Sequence, residues 1–130
     1  THQCAEGETY NLTNGEVFSW RDMWPAIAQT LEVPLGEDES LSVADYVMQR
    51  EPLWQNIVAK HKLSENTLEQ IVGESHHYAD LCFAHGTREP TPPIFVSTVK
   101  IHQAGFTQTY NSEESFCYWL GDLRERRIIP

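Results

Sequence analysis

The sequence predicts a mostly helical α+β fold of about six helices and two short strands. Three observations carry that expectation. Apolar residues recur three and four apart in several stretches, as on one face of a helix. A Ser, Thr or Pro precedes most of those stretches, where helix starts favour them. Strand-like alternation is confined to Thr9–Leu12 and Phe106–Tyr110.

Residues 1–9 form a polar lead-in. Tyr10 and Leu12 then favour an extended segment, and Asn14-Gly15 signals a turn because both residues tolerate positive φ. Ser19 reads as an N-cap, with Asp22 three residues on as a capping-box variant. Trp20, Met23, Trp24, Ile27, Ala28 and Leu31 share one helical face. Pro25 interrupts it, since an interior proline loses a backbone bond and clashes with the preceding turn. Either a kink or a separate first turn is expected there.

An acidic loop, residues 35–41, follows. Ser42 can cap a helix towards Arg50 that turns Val43, Tyr46 and Val47 inward. Pro52 suits the first position of the next helix, whose stripe is Leu53, Trp54, Ile57, Val58 and His61. Thr67 and Gln70 spell a capping box for a short helix through Val72.

The segment 75–86 is harder to assign. As a helix it takes Gly86 as its C′ residue and buries Tyr78, Leu81, Cys82 and Phe83. A loop with Pro90, Pro92 and Pro93 comes next. Ser97 caps a helix through Ala104, which Gly105 ends in the left-handed conformation. Ser112 caps the last helix, with Glu113 and Glu114 placed favourably against its dipole. Phe116, Trp119, Leu120 and Leu123 form its inner face, and Ile128-Ile129-Pro130 is an apolar tail expected to dock.

Composition narrows the classes of function. A hydrophobic content of 40%, with four Trp, five Tyr and five Phe, argues for a packed core rather than disorder. No apolar run reaches the ~20 residues that span a bilayer, and no signal-peptide pattern opens the chain. The first residue is Thr, so removal of a preceding segment is expected. A net charge of −10 disfavours nucleic acid and anionic membranes as partners. Arg124, Arg126 and Arg127 do gather at the end, where cations suit a helix C-terminus better than they make a phosphate site. Cys4, Cys82 and Cys117 form no CxxC pair, which fits reduced thiols and a cytoplasmic protein. The sequon Asn11-Leu12-Thr13 matters only in a secreted chain.

A search for chemistry removes most options. The seven glycines never fall within five residues of each other, so neither GxGxxG nor a P-loop is present. No Tyr has a Lys four residues on; Tyr46 with Arg50 comes nearest. His76, His77 and His85 lie close together, with Asp80 four residues after His76, yet HExxH and paired-Cys zinc patterns are missing. Cys82 and Cys117 fall on apolar faces as small hydrophobes, and no GxSxG occurs. The isolated chain has no catalytic constellation.

Two blocks carry a family resemblance. The first is Asn11-Leu12-Thr13-Asn14-Gly15-Glu16-Val17-Phe18-Ser19-Trp20-Arg21, continued by Trp24-Pro25. The second runs from Lys100 through Ala104-Gly105-Phe106 and Asn111-Ser112-Glu113-Glu114-Ser115-Phe116 to Ile128-Ile129-Pro130. Pro52-Leu53-Trp54 is the best point between them. Together they resemble the C-terminal portion of extended short-chain dehydrogenase/reductases. More narrowly they are similar to the progesterone 5β-reductase/iridoid synthase-like family and its bacterial epimerase/dehydratase-type relatives.

The resemblance implies that residues 1–130 are a single substrate-binding lobe, a fragment of a longer chain. The missing N-terminal Rossmann half would carry NADP and the catalytic Tyr and Lys, so this chain holds neither cofactor nor catalytic residue. The parent would be an NAD(P)-dependent enone or carbonyl reductase acting on a small apolar substrate. By the same resemblance Phe83 matches a pocket phenylalanine, and Tyr78 joins it by helical spacing; core packing is the alternative for both. The alternative for the whole is a non-catalytic binding or regulatory module that forms homo-oligomers. A lobe without its partner should show a large apolar surface and an unpaired edge at Thr9–Leu12.

Overall fold

The computed structural model describes residues 6–64, 66–89 and 92–130. Among them are seven helices: α1 (Trp20–Thr30), α2 (Val43–Met48), α3 (Glu51–His61), α4 (Leu68–Val72), α5 (Ser75–Cys82), α6 (Val99–Gln103) and α7 (Ser112–Glu125). The segment 75–86 is thus helical in its first part, which adds the seventh. Neither expected strand forms among the described residues. The helical lobe stands; its β component is corrected. Cys4 and Pro90 lie outside the described residues. No helix among the described residues is long and apolar enough to cross a membrane.

The chain divides into two compact units, Thr1–Leu35 with Pro93–Gly121 and Gly36–Pro92 with Asp122–Pro130. In the first unit Ser19 caps α1 as expected, its Oγ accepting from the Asp22 amide at 3.3 Å. The helix continues through Pro25 without a separate first turn, and it buries Met23. Phe18, Trp20 and Phe116 meet edge to face with ring centroids 5.5–6.0 Å apart. Trp119, expected inside, is exposed.

The second would-be strand meets the Asn14-Gly15 turn in this unit, not the first would-be strand. The Tyr110 amide donates to the Asn14 carbonyl at 2.9 Å. A ladder stops there, because side chains take the neighbouring groups. Asn14 Nδ2 donates to Ser112 Oγ at 3.2 Å, and the Ser112 amide donates to the Glu16 carboxylate. Gly15 has φ +92, and a Cβ there would meet Thr109 Cγ2 at 2.7 Å. Glycine is therefore required at this turn twice over, by dihedral and by space.

Two helix starts are shifted from the expected serines. Thr98 precedes α6 with no side-chain cap, and Asn111 Oδ1 accepts from the Glu114 amide at 2.8 Å at the start of α7. Ser112 is instead the first residue of α7 and only 2% exposed.

The second unit is built on Trp54, Val58 and Leu63, with Ile57, Leu68 and Ile71 packed against them. Trp54 also donates from Nε1 to the Asn66 carbonyl at 2.9 Å, so the indole is polar-satisfied where it is buried. The Thr67/Gln70 capping box is present in both directions. Glu51 ties α3 to α4, accepting from the Leu68 amide at 2.9 Å. Leu53, expected in the stripe, faces solvent. Ile128 and Ile129 are half-buried, and the Ser64 amide donates to the Arg127 carbonyl at 2.8 Å, which anchors the tail within this unit.

Among the described residues the buried apolar ones are few: Met23 in the first unit, and Trp54, Val58 and Leu63 in the second. The accessible surface is 10630 Å². A folded monomer of this mass exposes about 7,000 Å², and two separate bodies of half the mass about 8,500 Å². The excess is therefore independent of any arrangement of the two units.

Candidate functional site

The residues singled out for substrate contact, Tyr78 and Phe83, both belong to α5 and its C-cap in the second unit. The expectation that this helix buries Tyr78, Leu81, Cys82 and Phe83 is overturned. Tyr78 is 66% exposed and Phe83 44%, with Leu81 and Cys82 also exposed. The residue that α5 buries is His76, 8% exposed. Apolar periodicity pointed the wrong way because the inner face of α5 carries polar groups.

Of these, His76 Nδ1 is buried without a hydrogen-bond partner among the described residues, while Asp80 has a definite one. Asp80, one turn beyond His76, reaches the N-terminus of α2. Its carboxylate accepts from Ser42 Oγ at 2.7 Å and from the Val43 amide at 2.6 Å, with the Ala44 amide at 3.4 Å. The bond from Ser42 above all, with those two amides, holds the Asp80 carboxyl below the usual range. Helix N-terminal amides are poor in intrahelical partners, so a carboxylate from another helix is well placed there.

The C-terminus of α5 closes two residues earlier than Gly86. Ala84 adopts φ +55, the His85 amide donates to the Asp80 carbonyl at 2.9 Å, and the Ala84 amide donates to the Leu81 carbonyl at 3.2 Å. This is a Schellman ending with alanine in the left-handed position. It sets Phe83 on the C-cap. Tyr78 and Phe83 lie about 140° apart around the helix axis at ~100° per residue, so they do not share one face.

The other chemical candidates resolve into structural roles. The carboxylate of Asp80 is engaged with α2, and no group of three metal-ligating side chains occurs among the described residues. His77 lies 3.8 Å from Glu74. The Arg50 guanidinium stacks 3.8 Å from the centroid of Tyr46, a cation–π contact rather than an acid pair. Arg126 pairs with Asp122 at 3.1 Å. Cys117 is half-buried with Sγ 3.9 Å from the Ala26 carbonyl. A shallow groove of about 380 Å³ is lined by Gln55, Val58, Ala59, Asn66, Thr67 and Gln70, none of them singled out for substrate.

A dinucleotide does not fit these residues. The first turns of α1 and α7 carry Asp22 and Glu113–Glu114, which repel a pyrophosphate, and Gly15 is closed off by Thr109.

Among the described residues the chain is mostly helical, with exposed aromatic side chains on α5 and α7. Comparison with known proteins finds relatives among enol synthases and a steroid reductase. No protein-family model matches the chain. It is 31% identical to the (S)-8-oxocitronellyl enol synthase of Camptotheca acuminata and 26% identical to that of Catharanthus roseus. It is 24% identical to the 3-oxo-Delta(4,5)-steroid 5-beta-reductase of Arabidopsis thaliana. Each similarity covers 97% of this chain and 31% of the relative, so the chain spans about a third of their length. The chain is homologous, over nearly its whole length, to a segment of the progesterone 5β-reductase/iridoid synthase-like reductases.

Proposed function

We propose that the chain is the substrate-side, C-terminal lobe of an NAD(P)-dependent reductase whose nucleotide-binding half lies elsewhere in a longer protein. The observation that carries this reading is the surface: 10630 Å² where a self-sufficient chain of this mass exposes about 7,000 Å². Its homology to one third of full-length reductases supplies the complementary part. The bound cofactor would supply hydride. The lobe would contribute Phe83, with Tyr78 as a second aromatic group, to wall a small apolar enone or carbonyl substrate and exclude water from it. Exposed, unpaired Cys82 suits a reducing compartment such as the cytoplasm.

The test separates the lobe from its parent. Calorimetric titration of the isolated chain with NADPH should give no heat of binding, while the longer protein binds NADPH and reduces an enone. Micromolar NADPH affinity in the isolated chain would overturn the assignment. The same exposed surface also supports a second reading, a regulatory module that self-associates. It predicts a stable homo-oligomer and a longer protein without NADPH-dependent turnover.

A further inference from the structure

Asp80 joins two elements that neither end of α5 could hold by itself. Helix α2 has six residues, too few to persist on its own hydrogen bonds. Its first amides are served from outside, by the Asp80 carboxylate, and the same carboxylate accepts from the capping hydroxyl of Ser42. Helix α5 has no side-chain cap at its start and ends in the strained turn at Ala84. The backbone carbonyl of Asp80 accepts the His85 amide that closes that turn. One residue therefore grips α2 with its side chain and the Phe83 turn with its main chain.

The geometry also separates the two aromatic groups. Phe83 stands three residues after Asp80, about 60° around the axis, on the flank held by α2. Tyr78 stands two residues before it, about 160° away, on the free flank. We infer that Asp80 is a positioning residue for Phe83 and not for Tyr78, so that the Ser42–Asp80 latch sets how the lobe presents Phe83 to substrate. This rests on the reading of Phe83 as part of the substrate wall.

The experiment is a pair of double-mutant cycles in the full-length reductase that contains this lobe, with an apolar enone as substrate. Asp80→Ala should raise KM about tenfold while kcat changes less than about twofold, the signature of lost binding rather than lost chemistry. Ser42→Ala, which removes the bond to Asp80 and the cap bond from the Asp45 amide but leaves the Asp80 carboxylate on the Val43 amide, should move KM in the same direction by less. Asp80→Asn, which keeps an acceptor, should recover part of the effect. Asp80→Ala and Phe83→Ala should be strongly non-additive in KM, whereas Asp80→Ala and Tyr78→Ala should add. If Phe83→Ala leaves KM unchanged, the wall reading falls and takes this inference with it. If Phe83→Ala raises KM but the latch variants do not, or if their effects simply add, the wall stands and the positioning role is overturned.

Discussion

Asp80, Glu16 and Glu8 share one electrostatic situation at the residue scale. Each is an exposed or half-exposed carboxylate held below its ordinary range by a hydrogen-bonding partner: Ser42 for Asp80, Ser112 for Glu16, Lys100 for Glu8. A lowered folded-state pKa means stability that is fully present above the unfolded value of about 4 and lost as pH falls through the folded value. Acidification should therefore release α2 and the Asn14–Ser112 corner. For Asp80→Asn, urea midpoints should lie below wild type at pH 6, and the gap should narrow as pH falls below about 4, closing only once the folded wild-type carboxyl is itself protonated. A gap that stays constant with pH would show that charge is not what the latch uses. The sequence offered Asp80 only as a partner for His76. Nothing local announces that it caps a helix 37 residues away, since Val43 and Asp80 meet only in the folded chain.

Helix ends were the least legible elements, and for one shared reason. Glycine was expected to mark C-termini, and Gly105 and Gly73 do so for α6 and α4, yet left-handed residues at Glu32, Lys62, Ala84 and Arg127 end α1, α3, α5 and α7. In each the next amide reaches back to a carbonyl five residues earlier, as Leu63 does to Val58 and Ile128 to Leu123. At Lys62 the burial of the following Leu63, 8% exposed, offsets the steric cost of a Cβ at positive φ. That cost is recoverable. Ala84→Gly should stabilise the chain by about 0.5–1 kcal/mol in chemical denaturation, and Lys62→Gly in the same direction. Loss of stability in both variants would show that the left-handed turns are not strained.

Helix starts were far more legible. Ser19, Ser42 and the Thr67/Gln70 box act as read, because a cap is a contact between neighbours in sequence. Strands failed for the opposite reason: a ladder needs a partner, and the 106–110 segment finds one backbone bond, at Asn14.

Surface is the decisive quantity at the scale of the whole molecule. An extended chain of this mass exposes about 21,700 Å², so folding removes roughly half of it where a self-sufficient chain removes about two thirds. The denaturant slope and the heat-capacity change follow that buried area. Both should come out at about three quarters of the values usual for 130 residues, as read by urea titration and scanning calorimetry. Values at the ordinary level would mean that self-association covers the surface, which light scattering would detect as a species above 15.0 kDa. Apolar patterning alone turned Leu53, Tyr78 and Trp119 inward; the expectation of a large apolar surface came from the family resemblance.

The extended run Ile94-Phe95-Val96 makes that exposure concrete. Ile94 is 83% exposed and Phe95 75%, outside any helix. Three bulky residues of high β-propensity in open solvent are the kind of window from which cross-β fibrils nucleate. Immediately before them stand Pro92 and Pro93, each without an amide hydrogen to donate. A growing stack of strands would meet two consecutive gaps in its hydrogen-bond register there and could not lengthen past them. The prolines that read at first as a loop signal thus stand where gatekeepers would, against a sticky segment templating its own kind.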